Sequence, residues 1–386
     1  MICAYFDFDI DNGFLQGYNL KIINVVFADF FCQFVHIFVQ TTRNSDKKEI
    51  TLMDMVAQQK LDALKNVVAN TPLAKINLKY KGKETCVYAK LEYFNFSGSI
   101  KDRMAYYILR NAYEKGEIKP GDEISEATSG NTGIAFSAQG AFLGHKVNIF
   151  MPEWMSIERI NLIKSLGANI ILVSHEQGGF TGSVAMAKQY AIDHNGFLPG
   201  QFENEANVMA HYTTTGPEIW NQMAKFGVVP DAFTAGVGTG GTMMGTGRYL
   251  KSQNPDIKLY PMEPASCSTL LNGMVGPHRI QGIGDEFVPP IVKLEELDDI
   301  IEIDDGDAII MAQKIAKVLG MGVGISSGAN LLSALYVQEK FGKKNVVTVF
   351  ADDNKKYLST DYSKVEPVKE GFISSDVEVI SFEAVR

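Results

Sequence analysis

Asn95-Phe96-Ser97-Gly98-Ser99-Ile100-Lys101-Asp102-Arg103 is the stretch on which the reading of this chain turns. Its first half is a flexible turn of small polar residues, and its second half opens a helical pattern running from Lys101 to Glu117. Taken alone, a lysine in that place is a solvated surface charge. Three glycine-rich turns elsewhere argue otherwise. Glu126-Ala127-Thr128-Ser129-Gly130-Asn131-Thr132-Gly133 sets small and hydroxyl residues ahead of a helix, where backbone N–H groups can meet an anion. Gly236-Val237-Gly238-Thr239-Gly240-Gly241-Thr242 follows a strand and precedes a helix, the setting in which a backbone approaches a phosphate. Gly324-Ile325-Ser326-Ser327-Gly328 again stands ahead of a helix. Any one of them is satisfied by a plain βα loop with a helix cap. The second lacks G-x-G-x-x-G spacing in a first βα unit and a ribose-binding acid, which argues against NAD.

Around these turns, short apolar strands alternate with helices from about Leu61 onward, the pattern of an α/β protein with mainly parallel strands. Strands are expected at Val87–Leu91, Lys146–Met151, Asn169–Val173, Ala232–Ala235, Lys258–Met262 and Asn345–Phe350. Helices are expected at Lys101–Glu117, Thr132–Leu143, Ser156–Leu166, Thr242–Ser252 and Asp307–Leu319. No repeat or long linker interrupts them, so two lobes fold against each other with a ligand cleft between.

The 386 residues, 46% apolar and 21% charged, suffice for two packed domains. A net charge of −9, with no basic face interleaved with aromatics, excludes nucleic acid. Cys3, Cys32, Cys86 and Cys267 show no metal-ligand or disulfide spacing, which fits a reducing compartment and no metal site. Residues 1–52 read as a non-core extension. Its apolar run Val25–Val39 is broken by Asp29, Gln33 and His36, is too short for a membrane span, and lacks a signal-peptide pattern. After Lys364 the chain turns polar and acidic.

The motifs together resemble those of the cysteine synthase/cystathionine β-synthase family, the fold type II pyridoxal-5′-phosphate (PLP) enzymes. The likeness runs from Asn70-Thr71-Pro72-Leu73 to about Thr360. It passes through Ser99–Arg103, the Thr-Ser-Gly-Asn-Thr-Gly run, Met151-Pro152-Glu153, Thr214-Thr215-Gly216-Pro217-Glu218, the phosphate turn, Gly282-Ile283-Gly284 and Gly324–Gly328. It implies two open twisted α/β domains with PLP in the cleft between them. Residues 93–199 would form a smaller movable domain, 56–92 plus 200–362 a larger PLP-binding one, and 363–386 a C-terminal tail. By the same resemblance Lys101 forms the Schiff base and later moves the α-proton. Asn131 bonds the ring hydroxyl, and Gly238, Thr239, Gly240, Gly241 and Thr242 cradle the phosphate. Thr128, Ser129, Gly130, Thr132, Gln201 and Gly282 hold the substrate. Ser326, with Ser327 as the alternative, faces the pyridine nitrogen; a hydroxyl there makes a weaker electron sink than a carboxylate, which favours β-elimination and β-replacement through an α-aminoacrylate.

Family synthases commonly carry small residues after Gly-Ile-Gly, whereas here Gly284 is followed by Asp285 and Glu286. A carboxylate beside the reacting Cβ can take a proton from water and repel HS⁻. The reaction expected is therefore L-cysteine plus water to L-serine plus hydrogen sulfide, as in the family's cysteine (hydroxyl) lyases, with Asp285 catalytic. The rival is cysteine synthesis from O-acetylserine and sulfide, and a third reading is cystathionine synthesis from serine or cysteine plus homocysteine. A different class is a non-catalytic partner gripping the C-terminal peptide of serine acetyltransferase; the presence of Lys101 argues against it. The resemblance further implies a cytoplasmic homodimer. His211 and His278 read as structural hydrogen-bonders, and Trp154 as a packing residue of the movable lobe.

Overall fold

The computed structural model describes residues 52–386 apart from Ser129. The extension with Val25–Val39, and Ser129 of the substrate loop, lie outside the described residues. Helix α1 (Leu52–Lys65) leads into a hairpin of β1 (Leu73–Tyr80) and β2 (Lys83–Leu91). After α2 (Lys101–Lys115) come β3 (Ile124–Ala127), α3 (Asn131–Leu143), β4 (Val147–Pro152), α4 (Ile157–Ser165), β5 (Asn169–Val173) and α5 (Gly179–Asp193). Then α6 (Glu205–Ala210), a π-helical turn (His211–Thr215) and α7 (Gly216–Lys225) precede β6 (Ala232–Gly236), α8 (Gly241–Gln253) and β7 (Lys258–Pro264). The remainder is β8 (Ile301–Ile303), α9 (Asp305–Leu319), α10 (Ile325–Phe341), β9 (Val346–Phe350) and β10 (Val377–Val385).

These strands make two sheets. One has three strands in the order β3-β4-β5, all parallel. The other has seven, in the order β10-β1-β2-β9-β6-β7-β8. Its β2-β9-β6-β7-β8 part is parallel, and β10-β1-β2 is an antiparallel edge. Strand β9 shows why the parallel part reads as continuous apolar sequence. All five residues are buried; Val346 and Phe350 face the core shared with α9 and α10, while Val347 and Val349 face the core containing Met243 and Met244 of α8. The expected strands at 87–91, 146–151, 169–173, 232–235, 258–262 and 345–350 correspond to β2, β4, β5, β6, β7 and β9.

Two placements differ from the sequence reading. Within 363–386, read as a tail, Val377–Val385 pairs antiparallel with β1 along its whole length, from Tyr80↔Val377 to Leu73↔Val385. Only Val377 and Val379 of that strand are buried, and Ile380 and Phe382 are exposed, so its apolar residues mark no core-facing side from sequence. Helix α1, whose residues 56–65 fall inside the 56–92 segment assigned to the PLP domain, packs Leu61 and Leu64 into one cluster with Met104, Ile108 and Leu109 of α2 and Ile134 and Phe136 of α3.

One consequence of this packing is that the start of α2 is immobilised. Arg103 is buried and gives bidentate hydrogen bonds to both Glu92 (2.6 and 2.8 Å) and Glu218 (2.8 and 2.8 Å). Lys90 completes the cluster on Glu218 at 2.8 Å, so two cations face two carboxylates. Asp102 holds the preceding turn by accepting from the Ser97 backbone N–H and hydroxyl, each at 2.8 Å. Lys101 sits between these two anchored residues. Among the described residues no helix is long and apolar enough to cross a membrane.

Candidate active site

Parallel strands direct their carboxyl ends, and the loops that follow, to one rim of a sheet. Here the rims of both sheets meet around one cavity. The three-stranded sheet contributes Thr128 after β3, with Asn131 and Thr132 at the start of α3. The seven-stranded sheet contributes the turn after β6, Ala351 after β9, and Ser326 at the start of α10. Lys101, Gln201, Gly282 and Asp285 complete the set of sequence-chosen residues on the wall.

Three sequence-chosen residues stand behind the wall. Gly130 is packed by Arg159: a Cβ on Gly130 would lie 2.4 Å from Arg159 Cδ and Nε. Gly241 is packed by Asn207, whose Oδ1 would lie 2.0 Å from an added Cβ. Ser327 turns away, its hydroxyl accepting the Ala351 N–H at 3.1 Å. Of the two serines, only Ser326 lines the cavity.

The phosphate-type turn is shaped by close approach. A Cβ on Gly238 would sit 2.4 Å from the Gly282 carbonyl oxygen, and Gly240 has φ +89°, a left-handed conformation that favours glycine. Asn207 donates to the Thr239 hydroxyl oxygen at 2.9 Å, leaving the Thr239 O–H to point elsewhere. Asn330 accepts the Gly236 N–H and donates to the Val349 carbonyl, tying the turn to β9. The first N–H groups of α8 have no acceptor within the helix and favour an anion in front of them.

Across the cavity, the Thr132 hydroxyl donates to Gln201 Oε1 at 2.6 Å, and Gln201 Nε2 donates to the Ala127 carbonyl at 2.8 Å. One N–H of Gln201 is left over. Under this loop Glu126 accepts the Ala127 N–H at 2.9 Å, and burial raises its carboxyl to about 7. Asn131 donates to Asp352 Oδ2 at 2.8 Å, as does the Tyr357 hydroxyl at 2.7 Å. The buried Asn131 Oδ1 has no partner.

The electrostatics centre on Lys101 and Asp285. Among the described residues no hydrogen bond or ion pair holds the Lys101 Nζ. Burial lowers its pKa, while Asp285 and Asp352 pull it back upward. Burial raises Asp285 to about 6; Lys101 opposes the rise and Glu286 adds to it. A lysine held below its usual pKa and a carboxyl raised to about 6 thus share one cavity, the pattern expected of acid–base groups. His211 is buried and lowered to about 3, chiefly by burial and then by Arg103; its Nδ1 pairs with Thr215 Oγ at 2.9 Å. His278 pairs with the Gly284 carbonyl at 2.9 Å. His211 Nε2 also lies 3.4 Å from Thr242 Oγ1. Trp154 is half-exposed and stacks on His175, with centroids 3.7 Å apart. Among the described residues no group of three or more His, Cys, Asp or Glu is placed to hold a metal ion.

Sequence reasoning passed over Arg159, Gln281, Asp352 and Tyr357. Asp352 had a usable signal: it lies just past the carboxyl end of a buried parallel strand, where ligand-facing residues concentrate.

A cofactor with a phosphate at one end and a ring hydroxyl at the other fits this architecture, with a turn whose Gly238 and Gly240 leave no room for a Cβ at one side and an unpartnered amide oxygen at the other. The family model for pyridoxal-phosphate dependent enzymes matches residues 64–352, and the chain belongs to that family. It is a fold type II, PLP-dependent enzyme of the cysteine synthase family. It is similar to the cysteine synthase of Staphylococcus aureus, 42% identical over 306 residues, covering 79% of this chain and 98% of that protein. The solved structure of a hydrogen sulfide-producing enzyme from Fusobacterium nucleatum is 53% identical, with TM-score 0.83 over 85% of this chain and 99% of that one. A cysteine synthase from Entamoeba histolytica is 34% identical, with TM-score 0.72 over 86% and 96%.

Proposed function

We propose that this enzyme converts L-cysteine and water to L-serine and hydrogen sulfide. The observation that carries the reading is Asp285, a carboxyl raised to about 6 on the wall of the Lys101 cavity. At neutral pH it is mostly ionised and still basic enough to take a proton from water as the oxygen attacks Cβ. The C–S bond breaks, HS⁻ leaves, a C–O bond forms, and the water proton passes to Asp285.

The other residues have distinct roles. Lys101 would hold PLP covalently and, once released, take the proton from Cα; the desolvation that lowers its pKa suits both tasks. Thr239, Thr242 and the backbone of Gly238, Gly240 and Gly241 would hold the phosphate, Asn131 the ring hydroxyl and Ser326 the ring nitrogen. PLP, when bound, supplies the electron sink that lets the Cα proton and the β-substituent depart. Of the residues chosen for the substrate carboxylate, Thr128, Thr132 and Gln201 line the cavity and would receive it. A fixed anion at Asp285 disfavours HS⁻ as the incoming group.

The test is to incubate PLP-loaded protein with L-cysteine alone and quantify sulfide, serine and pyruvate. Sulfide with equimolar serine is the expected result. Sulfide with pyruvate instead would mean water does not add at Cβ. No sulfide, with cysteine formed from O-acetylserine and sulfide, would return the chain to the synthase direction that the Staphylococcus aureus relative's name carries. The same reading brings a cytoplasmic homodimer, testable by sedimentation, and a serine acetyltransferase partner, testable by titrating its C-terminal peptide.

A further inference from the structure

We infer that Gln281 is a substrate-binding residue, its amide N–H groups turned toward the amino acid's α-carboxylate by Arg159. This deepens the reading of the cavity given above and rests on it. Gln281 lies on the wall of the Lys101 cavity and of the vestibule beside it. Its Oε1 accepts from Arg159 Nη1. A guanidinium has donors and no acceptor, so only the amide oxygen can face it. The Gln281 Nε2 therefore points away from Arg159, and among the described residues no hydrogen-bond acceptor takes it up. Gly282, with φ +92° and nothing within 4 Å of an added Cβ, leaves the space beside that amide open.

Arg159 is held on several sides. It is buried on α4, its guanidinium lies 4.6 Å from the Tyr357 ring centroid, and Nη1 reaches Ser156 Oγ at 3.4 Å. Its Cδ and Nε fill the room that Gly130 leaves empty. No carboxylate lies within 4 Å of it among the described residues, and its buried Nε has no partner. A desolvated cation without a counter-ion favours a ligand anion nearby. Arg159 packs Gly130 in the loop whose Thr128 and Thr132 share the cavity wall with Gln281, so a carboxylate bound at that loop would be an acceptor within reach of the Gln281 N–H groups. Tyr357 in turn donates to Asp352, which orients Asn131. One buried chain of contacts thus sets the amide of Gln281 on the substrate side and that of Asn131 on the cofactor side.

Gln281→Glu separates binding from architecture. It keeps an oxygen facing Arg159 and deletes the donors, placing a carboxylate where the substrate's would go. L-cysteine and O-acetylserine are each titrated into the PLP-loaded protein, following the cofactor's absorbance, with KM, kcat and thermal midpoint measured alongside. The expected result is a rise of about tenfold or more in half-saturation and KM for both amino acids, with the thermal midpoint unchanged. Gln281→Met, which lacks donor and acceptor alike, should show a similar binding loss and a lower midpoint. Wild-type binding by Gln281→Glu would overturn the inference, as would a defect in Gln281→Met that Gln281→Glu fully repairs. Should wild type make no sulfide from cysteine, the direction of the reaction is wrong, yet Gln281 is still decided by the O-acetylserine titration.

Discussion

Replacing Asp285 by asparagine should move activity and stability in opposite directions. The side chain keeps its shape and loses its charge. Burial raises the Asp285 pKa from 3.8 to about 6, so the folded protein resists ionising it. Below about 4 the group is protonated folded or unfolded, and the substitution gains nothing. Above about 6 it is ionised in both states, and the folded state bears the full desolvation cost. The Asn variant therefore gains stability as pH rises through this window, up to about 3 kcal/mol at pH 7.5. Activity follows the same titration with the other sign. Wild-type sulfide release should climb through pH 6, with about nine-tenths of Asp285 ionised at pH 7 and about one-tenth at pH 5. The Asn variant should lose about 10²- to 10⁴-fold, the usual contribution of a general base. Sulfide release from L-cysteine between pH 5 and 8, beside thermal midpoints at pH 4.5 and 7.5, reads both effects. Wild-type sulfide release by Asp285→Asn at pH 7.5 would refute the role of the carboxylate. Equal midpoint differences at the two pH values would refute its buried titration.

Three further outcomes follow from the geometry. Arg103→Met leaves Glu92 and Glu218 with an uncompensated negative charge and should cost about 3–5 kcal/mol, measured by urea unfolding. Gly241→Ala drives a Cβ to 2.0 Å from Asn207 Oδ1, an overpacking cost of about 1–3 kcal/mol. It should weaken PLP binding roughly 5- to 150-fold, measured by dialysis and cofactor absorbance. Removing residues 377–386 bares the edge of β1 and should increase aggregation, read by light scattering during refolding.

Much of this fold is legible in sequence because its parallel strands are buried on both faces. Val346–Phe350 can be read as a strand from five residues, since both faces demand apolar side chains. Strand β10 is illegible for the opposite reason: Val377-Glu378-Val379-Ile380-Ser381-Phe382-Glu383-Ala384-Val385 has one thinly covered face and its partner at the far end of the chain. The wall residues were readable where a turn carries several of them, as at Gly238 to Thr242. Arg159 was not. An arginine on a short helix resembles a solvated charge until Gly130, Tyr357 and Gln281, all distant in sequence, close around it. Asp285 was readable because it follows Gly-Ile-Gly, but its pKa depends on a cavity that no local pattern describes.

The pairing of β10 with β1 also sets an order of events in the cell. Strand β1 emerges from the ribosome before any other strand described here, yet its outer partner emerges last. Until Val377–Val385 has been made, one side of β1 has N–H and C=O groups without their final acceptors and donors. The nascent chain must therefore carry an open sheet edge until Val385 can reach Leu73. A chain released before Val377–Val385 is made would present that open edge to chaperones and proteases.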